Sequence, residues 1–187
     1  MNIDPVTMAA DAANDATRRA RELFLDDRNL YGCAETAFVV LKEAFGVPET
    51  ADSSPAMALN GGIAYSGGTC GAVTGAALAV GMLAERRFAD HGEAKRAARL
   101  LTADLLTAFE AAFGTSACRE LTGSDLRTEA GHRAFIEGGI WRDRCMRQIE
   151  VAVARLAPLA DEAALDAAIA ALEAQEQPEA GLTPPSP

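Results

Sequence analysis

No stretch of this chain stays apolar for the roughly 18 to 20 residues that a membrane span needs. The most apolar run, Gly71 to Ala84, is shorter and is interrupted by Thr74, Gly75 and Gly81, so it reads as a buried core helix. An integral membrane protein is therefore not expected. The N-terminal stretch MNIDPVTMAADAANDATRRARELF lacks the basic region and apolar core of a secretion signal, and the expected compartment is the cytoplasm. Basic residues are the minority: 17 Lys and Arg face 27 Asp and Glu, for a formal net charge of -10 and a pI near 4.7. That field repels phosphate backbones and anionic membrane surfaces, which excludes nucleic acid as an expected partner and favours solubility.

Phosphate-binding and hydrolase signatures are missing too. A Walker loop needs Gly-Lys-Ser/Thr opening a helix after a strand, whereas the glycine-rich stretch here reads GGTCGAVTG. No Ser-His-Asp arrangement stands out. His is present only twice: His91 sits in the turn-like ADHGEA and reads as surface, and His132 lies in a polar helical turn beside Arg133. Cysteine is sparse and dispersed as Cys33, Cys70, Cys118 and Cys145, with no local Cys-x-x-Cys hook, so only the fold can bring the thiols together.

What is present is helix. With 187 residues, 49% of them hydrophobic, the chain can bury one core of ordinary size. Apolar periodicity and breakers predict helices over Ala9 to Leu25, from Cys33 or Ala34 to Phe45, over a short segment beginning at Ser54-Pro55, over Cys70 to Arg87 with Thr69 as N-cap, and over Gly92 to Phe113. A short turn at Cys118 follows, then Thr128 to Glu137, Ile140 to Leu156, and a weaker segment at Ala163 to Glu173. No strand series is visible. The expected class is all-α, a single-domain helical bundle with a Gly-rich loop over Gly61 to Thr69 and a disordered, Pro-rich C-terminal tail from Ala174. The expected organisation is residues 1–29 as an N-terminal helix and linker, 30–157 as a four-cysteine helical domain, and 158–187 as a C-terminal helix and tail.

The cysteines fall at informative places. Cys33, Cys70 and Cys118 each lie at or near a predicted helix start, where unpaired amides and the helix dipole favour a thiolate. Cys145 lies on the apolar stripe of its helix with Ile149, Ala152 and Leu156, beside Arg142, Arg144 and Arg147. Arg119 adjoins Cys118 in the same way. A free Cys is also a small hydrophobe that is often simply buried, and Cys145 fits that reading best. At least one thiol is expected to titrate well below the free value of about 8.5.

With Cys70-Gly71-Ala72-Val73-Thr74-Gly75 matching Cys-Gly-Ala-x-x-Gly, and further cysteines at 33, 118 and 145, the sequence resembles the C_GCAxxG_C_C family of small redox-active proteins over Leu30 to Leu156. The resemblance implies redox or metal chemistry at clustered cysteines and names no substrate. A similar domain is associated with split-Soret cytochromes, but this chain has no Cys-x-x-Cys-His, so covalent haem is not expected.

The first reading is therefore a cytoplasmic redox-active protein that uses Cys33, Cys70, Cys118 and Cys145 for thiol-disulfide or electron-transfer chemistry on an unnamed redox partner or small molecule. If it is catalytic, the class is thiol-disulfide oxidoreductase. Four cysteines allow three pairings. The preferred one has Cys70 attacking and Cys33 resolving, since both begin core helices, with Cys118 and Cys145 as the second pair. The alternative makes the same four residues ligands of zinc or an iron-sulfur cluster, although the local Cys-x2-4-Cys hooks common in structural zinc sites are missing. A third reading is a non-catalytic helical adaptor.

Overall fold

A computed structural model describes residues 5–176 of the chain, and among them every named element is helical. The Pro-rich tail expected after Ala174 lies mostly outside the described residues. Helices α1 (Pro5–Phe24), α2 (Cys33–Ala44), α3 (Gly71–Arg87), α4 (His91–Phe113), α5 (Cys118–Thr122), α6 (Glu129–Glu137), α7 (Met146–Leu156) and α8 (Glu162–Glu176) follow in order. Two short 3-10 turns (Ser54–Leu59 and Ala157–Ala160) and a π-helical turn (Trp141–Cys145) complete the set. The all-α expectation holds. No helix among the described residues is long and apolar enough to cross a membrane.

Helix α2 is the centre. Every residue from Ala34 to Lys42 is buried, because α1, α3 and α7 all pack against it. Its contact with α3 is the most extensive in the fold, and one residue lets the two come close: a Cβ placed on Gly75 would stand 2.0 Å from the carbonyl oxygen of Ala34. Only glycine lets the two backbones meet there. Small residues continue the seam, with Ala34, Ala37, Ala72, Ala76 and Ala79 buried, while Phe38, Leu41, Val80, Leu105, Phe109 and Ile149 fill the volume around it.

Helix α1 is anchored through Ala16, Ala20 and Phe24, whose spacing of four places them on one face, and it packs on α7. Helix α4 is capped at both ends: the Asp90 side chain accepts from the Glu93 amide at 2.9 Å, and Gly114 takes φ 79° at the C-terminus. Helix α8 covers α4.

Two expectations about local structure are corrected. Thr69 does not cap α3; that place is taken by Cys70, because Thr69 is drawn into an antiparallel bridge with Ala117. The segment Ile140 to Leu156 is not one regular helix either. Its first turn is π-helical, ends at Cys145, and turns that side chain into the core.

Candidate functional site

The loop between α2 and α3 builds most of the site. Cys33 is the first residue of α2, and its sulfur lies among the backbone amides of Gly61, Ala34, Gly71 and Cys33 itself. Asn60 ties the arrangement together. Its Oδ1 accepts the Ala34 amide at 2.9 Å and lies 3.8 Å from the Cys33 Sγ, within reach of the thiol hydrogen. Its Nδ2 donates to Glu35 Oε2 at 2.8 Å and to the Met57 carbonyl at 3.1 Å, so the amide has one consistent orientation. Glu35 is buried and also accepts from the Gly32 amide at 3.0 Å and the Ser53 hydroxyl at 2.8 Å. A buried carboxylate with three donors is a stable anchor rather than a liability.

The backbone after Asn60 is unusual. Gly61, Gly62, Ile63, Ala64 and Tyr65 all have positive φ, from 49° to 72°, which makes a left-handed helical turn. Each non-glycine residue in that region costs about 1–2 kcal/mol, and Ile63 is β-branched as well. Cross-turn bonds hold it: the amides of Ala64, Gly67 and Gly68 donate to the carbonyls of Ala58, Gly61 and Gly62 at 2.8, 3.1 and 3.2 Å. Strain of this kind persists only where surrounding structure imposes it, and it clusters at functional sites.

Past the turn, residues 67–70 pair with 116–119. The Cys70 amide donates to the Ser116 carbonyl at 2.8 Å, while the amides of Cys118 and Arg119 donate to Gly68 and Gly67 at 2.7 and 3.1 Å. This short ladder fixes Cys70 and Cys118 beside each other although 47 residues separate them in the chain. Cys70 is buried at the N-cap of α3, and its thiol donates to Gln148 Oε1 of α7 at 3.5 Å. Cys118 opens α5, and Cys145 closes the π-turn; both are buried.

The four thiols form one electrostatic unit. Burial is the largest influence on each and raises all four pKa values, with Cys118 pushed up to about 11. A charge on Cys33 acts on Cys70, Cys118 and Cys145, and charges on Cys70 and Cys118 act on Cys145. Ionising one thiol therefore makes the next harder to ionise. The expectation of a helix-start thiolate with a low pKa is thus not met. Cys70 shows why: two α3 amides favour its thiolate, but desolvation outweighs them. Cys33, the only one of the four not fully buried, has four amides opposing the same desolvation. Among the neighbouring arginines only Arg144 lowers a thiol, that of Cys145, and it does so weakly beside burial. Arg119 is engaged by Asp125 at 3.2 Å.

A cavity of about 270 Å³ opens against this unit. Cys33, Cys118 and Cys145 line it, while Cys70 is sealed behind. Aromatic side chains supply much of the wall: Phe24, Tyr31, Tyr65, Phe135 and Trp141. Phe24 meets Trp141 edge to face at 5.7 Å, and Tyr65 leans on His132 at 5.6 Å. His132 lies on a polar helix as expected and also borders the cavity, and His91 pairs with Glu85 on the surface. Helix α6, which carries His132 and Phe135, buries none of its residues.

Asn60, Glu35, Gln148, Tyr65 and Trp141 were not legible as site residues. The only signal was Asn60-Gly-Gly, which reads as a helix stop, and the rest are polar or aromatic residues at ordinary helical positions.

An all-helical chain in which three of four dispersed cysteines line one cavity and the fourth is buried beside it is the class that fold and site define. The family model described as "Putative redox-active protein (C_GCAxxG_C_C)" matches residues 31–159, and the chain belongs to that family. No curated protein and no solved structure matches the chain.

Proposed function

We propose that this protein carries out thiol-disulfide redox chemistry at one four-cysteine centre, with Cys33 as the thiol that meets the outside. The reading is carried by three of the thiols, Cys33, Cys118 and Cys145, lining one cavity, with Cys70 held beside Cys118 by the pairing of residues 67–70 with 116–119. Two thiols joining as a disulfide release two protons and two electrons, and the acceptor takes both. Cys33 is favoured as the entry thiol because it lines the cavity, its residue keeps more exposed surface than the other three although the sulfur itself is desolvated, and amides gather at that sulfur. Cys70 is better placed as a sealed partner. The raised pKa values set a slow reaction at neutral pH that quickens as pH rises, since the thiolate is the reacting form.

A second reading, four thiolates holding an iron-sulfur cluster, is favoured by those same amides, because N–H groups on ligand sulfurs tune such clusters. When bound, a cluster would carry single electrons at this site. Against a cluster and a zinc ion alike, among the described residues no group of three or more His, Cys, Asp or Glu stands so as to hold a metal ion, and zinc further needs its sulfurs about 2.3 Å from one point. Anaerobic purification followed by metal analysis and visible absorption separates the two. A colourless, metal-free, folded protein that forms intramolecular disulfides reversibly supports the first reading. Stoichiometric iron and sulfide with a visible band overturn it in favour of the second.

A further inference from the structure

Building on the thiol-redox reading, we propose that the cavity beside the cysteines binds a small uncharged quinone, which serves as the electron acceptor. The wall chemistry selects the ligand class. Rings from Phe24, Tyr31, Tyr65, Phe135 and Trp141 line the space, an environment suited to a flat ring through stacked and edge contacts. Among the described residues, the Tyr31 and Tyr65 hydroxyls, the Trp141 indole N–H and the His132 ring make no hydrogen bond with another protein group. Four polar handles around an aromatic slot call for a ring that bears oxygen acceptors.

Charge narrows the class further. Among the described residues no Lys or Arg lines the cavity, and Arg142, stacked on the Trp141 ring at 4.9 Å, is not part of the lining. The carboxylate in the lining, Glu35, already accepts three hydrogen bonds. Phosphate-bearing flavins and nicotinamides would therefore meet no Lys or Arg in the wall. An uncharged ring meets no obstacle, and about 270 Å³ admits one of modest size. The lining also includes Cys33, Cys118 and Cys145, so the ring binds where electrons become available. The exchange balances without a third reactant: two cysteine thiols lose two electrons and two protons as their S–S bond forms, and the quinone gains the same to become the hydroquinone.

The test is an anaerobic titration of the full chain with duroquinone, whose four ring methyls hinder addition of thiols to the ring. The readout is the fluorescence of Trp141, the single tryptophan in the sequence. Expected is saturable quenching at one equivalent, weakened about tenfold in Tyr65→Ala and His132→Ala, with flavin mononucleotide unable to compete. Tyr65→Phe, which keeps the ring and removes the hydroxyl, serves if the larger truncation unfolds the turn. Linear, unsaturable quenching overturns the proposal, as does equal affinity in all variants. Hydroquinone is then measured against thiols lost in the reduced protein, with one expected per two thiols. Saturable binding without hydroquinone overturns the acceptor role while leaving the ring site. Reversible disulfides formed by other oxidants, with no saturable quenching, overturn the quinone site and leave the thiol-redox reading intact.

Discussion

Cys33 and Gly71 are matched to one another: a Cβ on Gly71 would stand 2.4 Å from the Cys33 sulfur. The glycine that follows Cys70 in the Cys-Gly-Ala-x-x-Gly motif is thus the seat of a thiol from another helix. Gly71→Ala must displace the Cys33 side chain or part α2 from α3, with an expected loss of about 1–3 kcal/mol. Gly75→Ala, where the obstacle is the Ala34 carbonyl itself at 2.0 Å, is expected to cost more. Denaturant unfolding of both variants, with alkylation of Cys33 followed by mass spectrometry, checks this. Equal stability of Gly75→Ala and the parent would contradict the close crossing.

Asn60 links the buried Glu35 to Cys33, and Asn60→Asp reverses the link. The variant removes the donor to Glu35 and sets a second carboxylate beside it, at an expected cost of about 2–3 kcal/mol. The added negative charge also disfavours the Cys33 thiolate, so alkylation at a fixed pH slows. Unchanged stability together with an unchanged rate would show that Asn60 holds nothing.

The left-handed turn gives a prediction of opposite sign. Ile63 is 52% exposed, so truncation gives up about half of a side chain's burial, about 1 kcal/mol, against the roughly 2 kcal/mol that its φ of 64° costs a β-branched residue. Ile63→Gly is expected to stabilise the protein by about 1 kcal/mol, measured as a shift of the denaturation midpoint at constant slope. A destabilised variant would place the strain elsewhere.

The raised thiol pKa values make the reduced protein sensitive to alkali. A thiol that titrates near 8.5 when unfolded and higher when folded stabilises the fold fully below about 8.5. That contribution is lost as pH rises toward the folded value, about 11 for Cys118. The unfolded state has by then released protons that the native state keeps. Denaturation of the reduced chain from pH 7 to 11 should show falling stability above about 8.5, with a shallower fall in Cys118→Ser. A flat profile in both would mean that the thiols are not desolvated.

The helices were legible because their signals are local. Apolar periodicity and helix breakers each act within a few residues, and they placed Cys33, Cys70 and Cys118 near helix starts. Cys145 was readable as inward-facing from its stripe, but the π-turn that aims it has no comparable local mark. Asn60 with Glu35, and Tyr65 with His132, meet across separate segments, so their partnership exists only in the fold. The thiol pKa values were misjudged for a related reason. The helix-start amides are visible in sequence, whereas the burial that outweighs them at Cys70 comes from separate segments, with Gln148 of α7 and the 116–119 strip closing over it.

The most direct measurement is a redox titration of the folded protein. The chain is equilibrated anaerobically against graded ratios of oxidised and reduced dithiothreitol, quenched in acid, alkylated and mapped by mass spectrometry. The account predicts that thiols disappear two at a time, in intramolecular disulfides among Cys33, Cys70, Cys118 and Cys145, and return on reduction without unfolding. It predicts also that Cys33→Ser alters the pairing of the remaining three. Four thiols that stay alkylatable at every potential while the helices remain folded would contradict the redox centre.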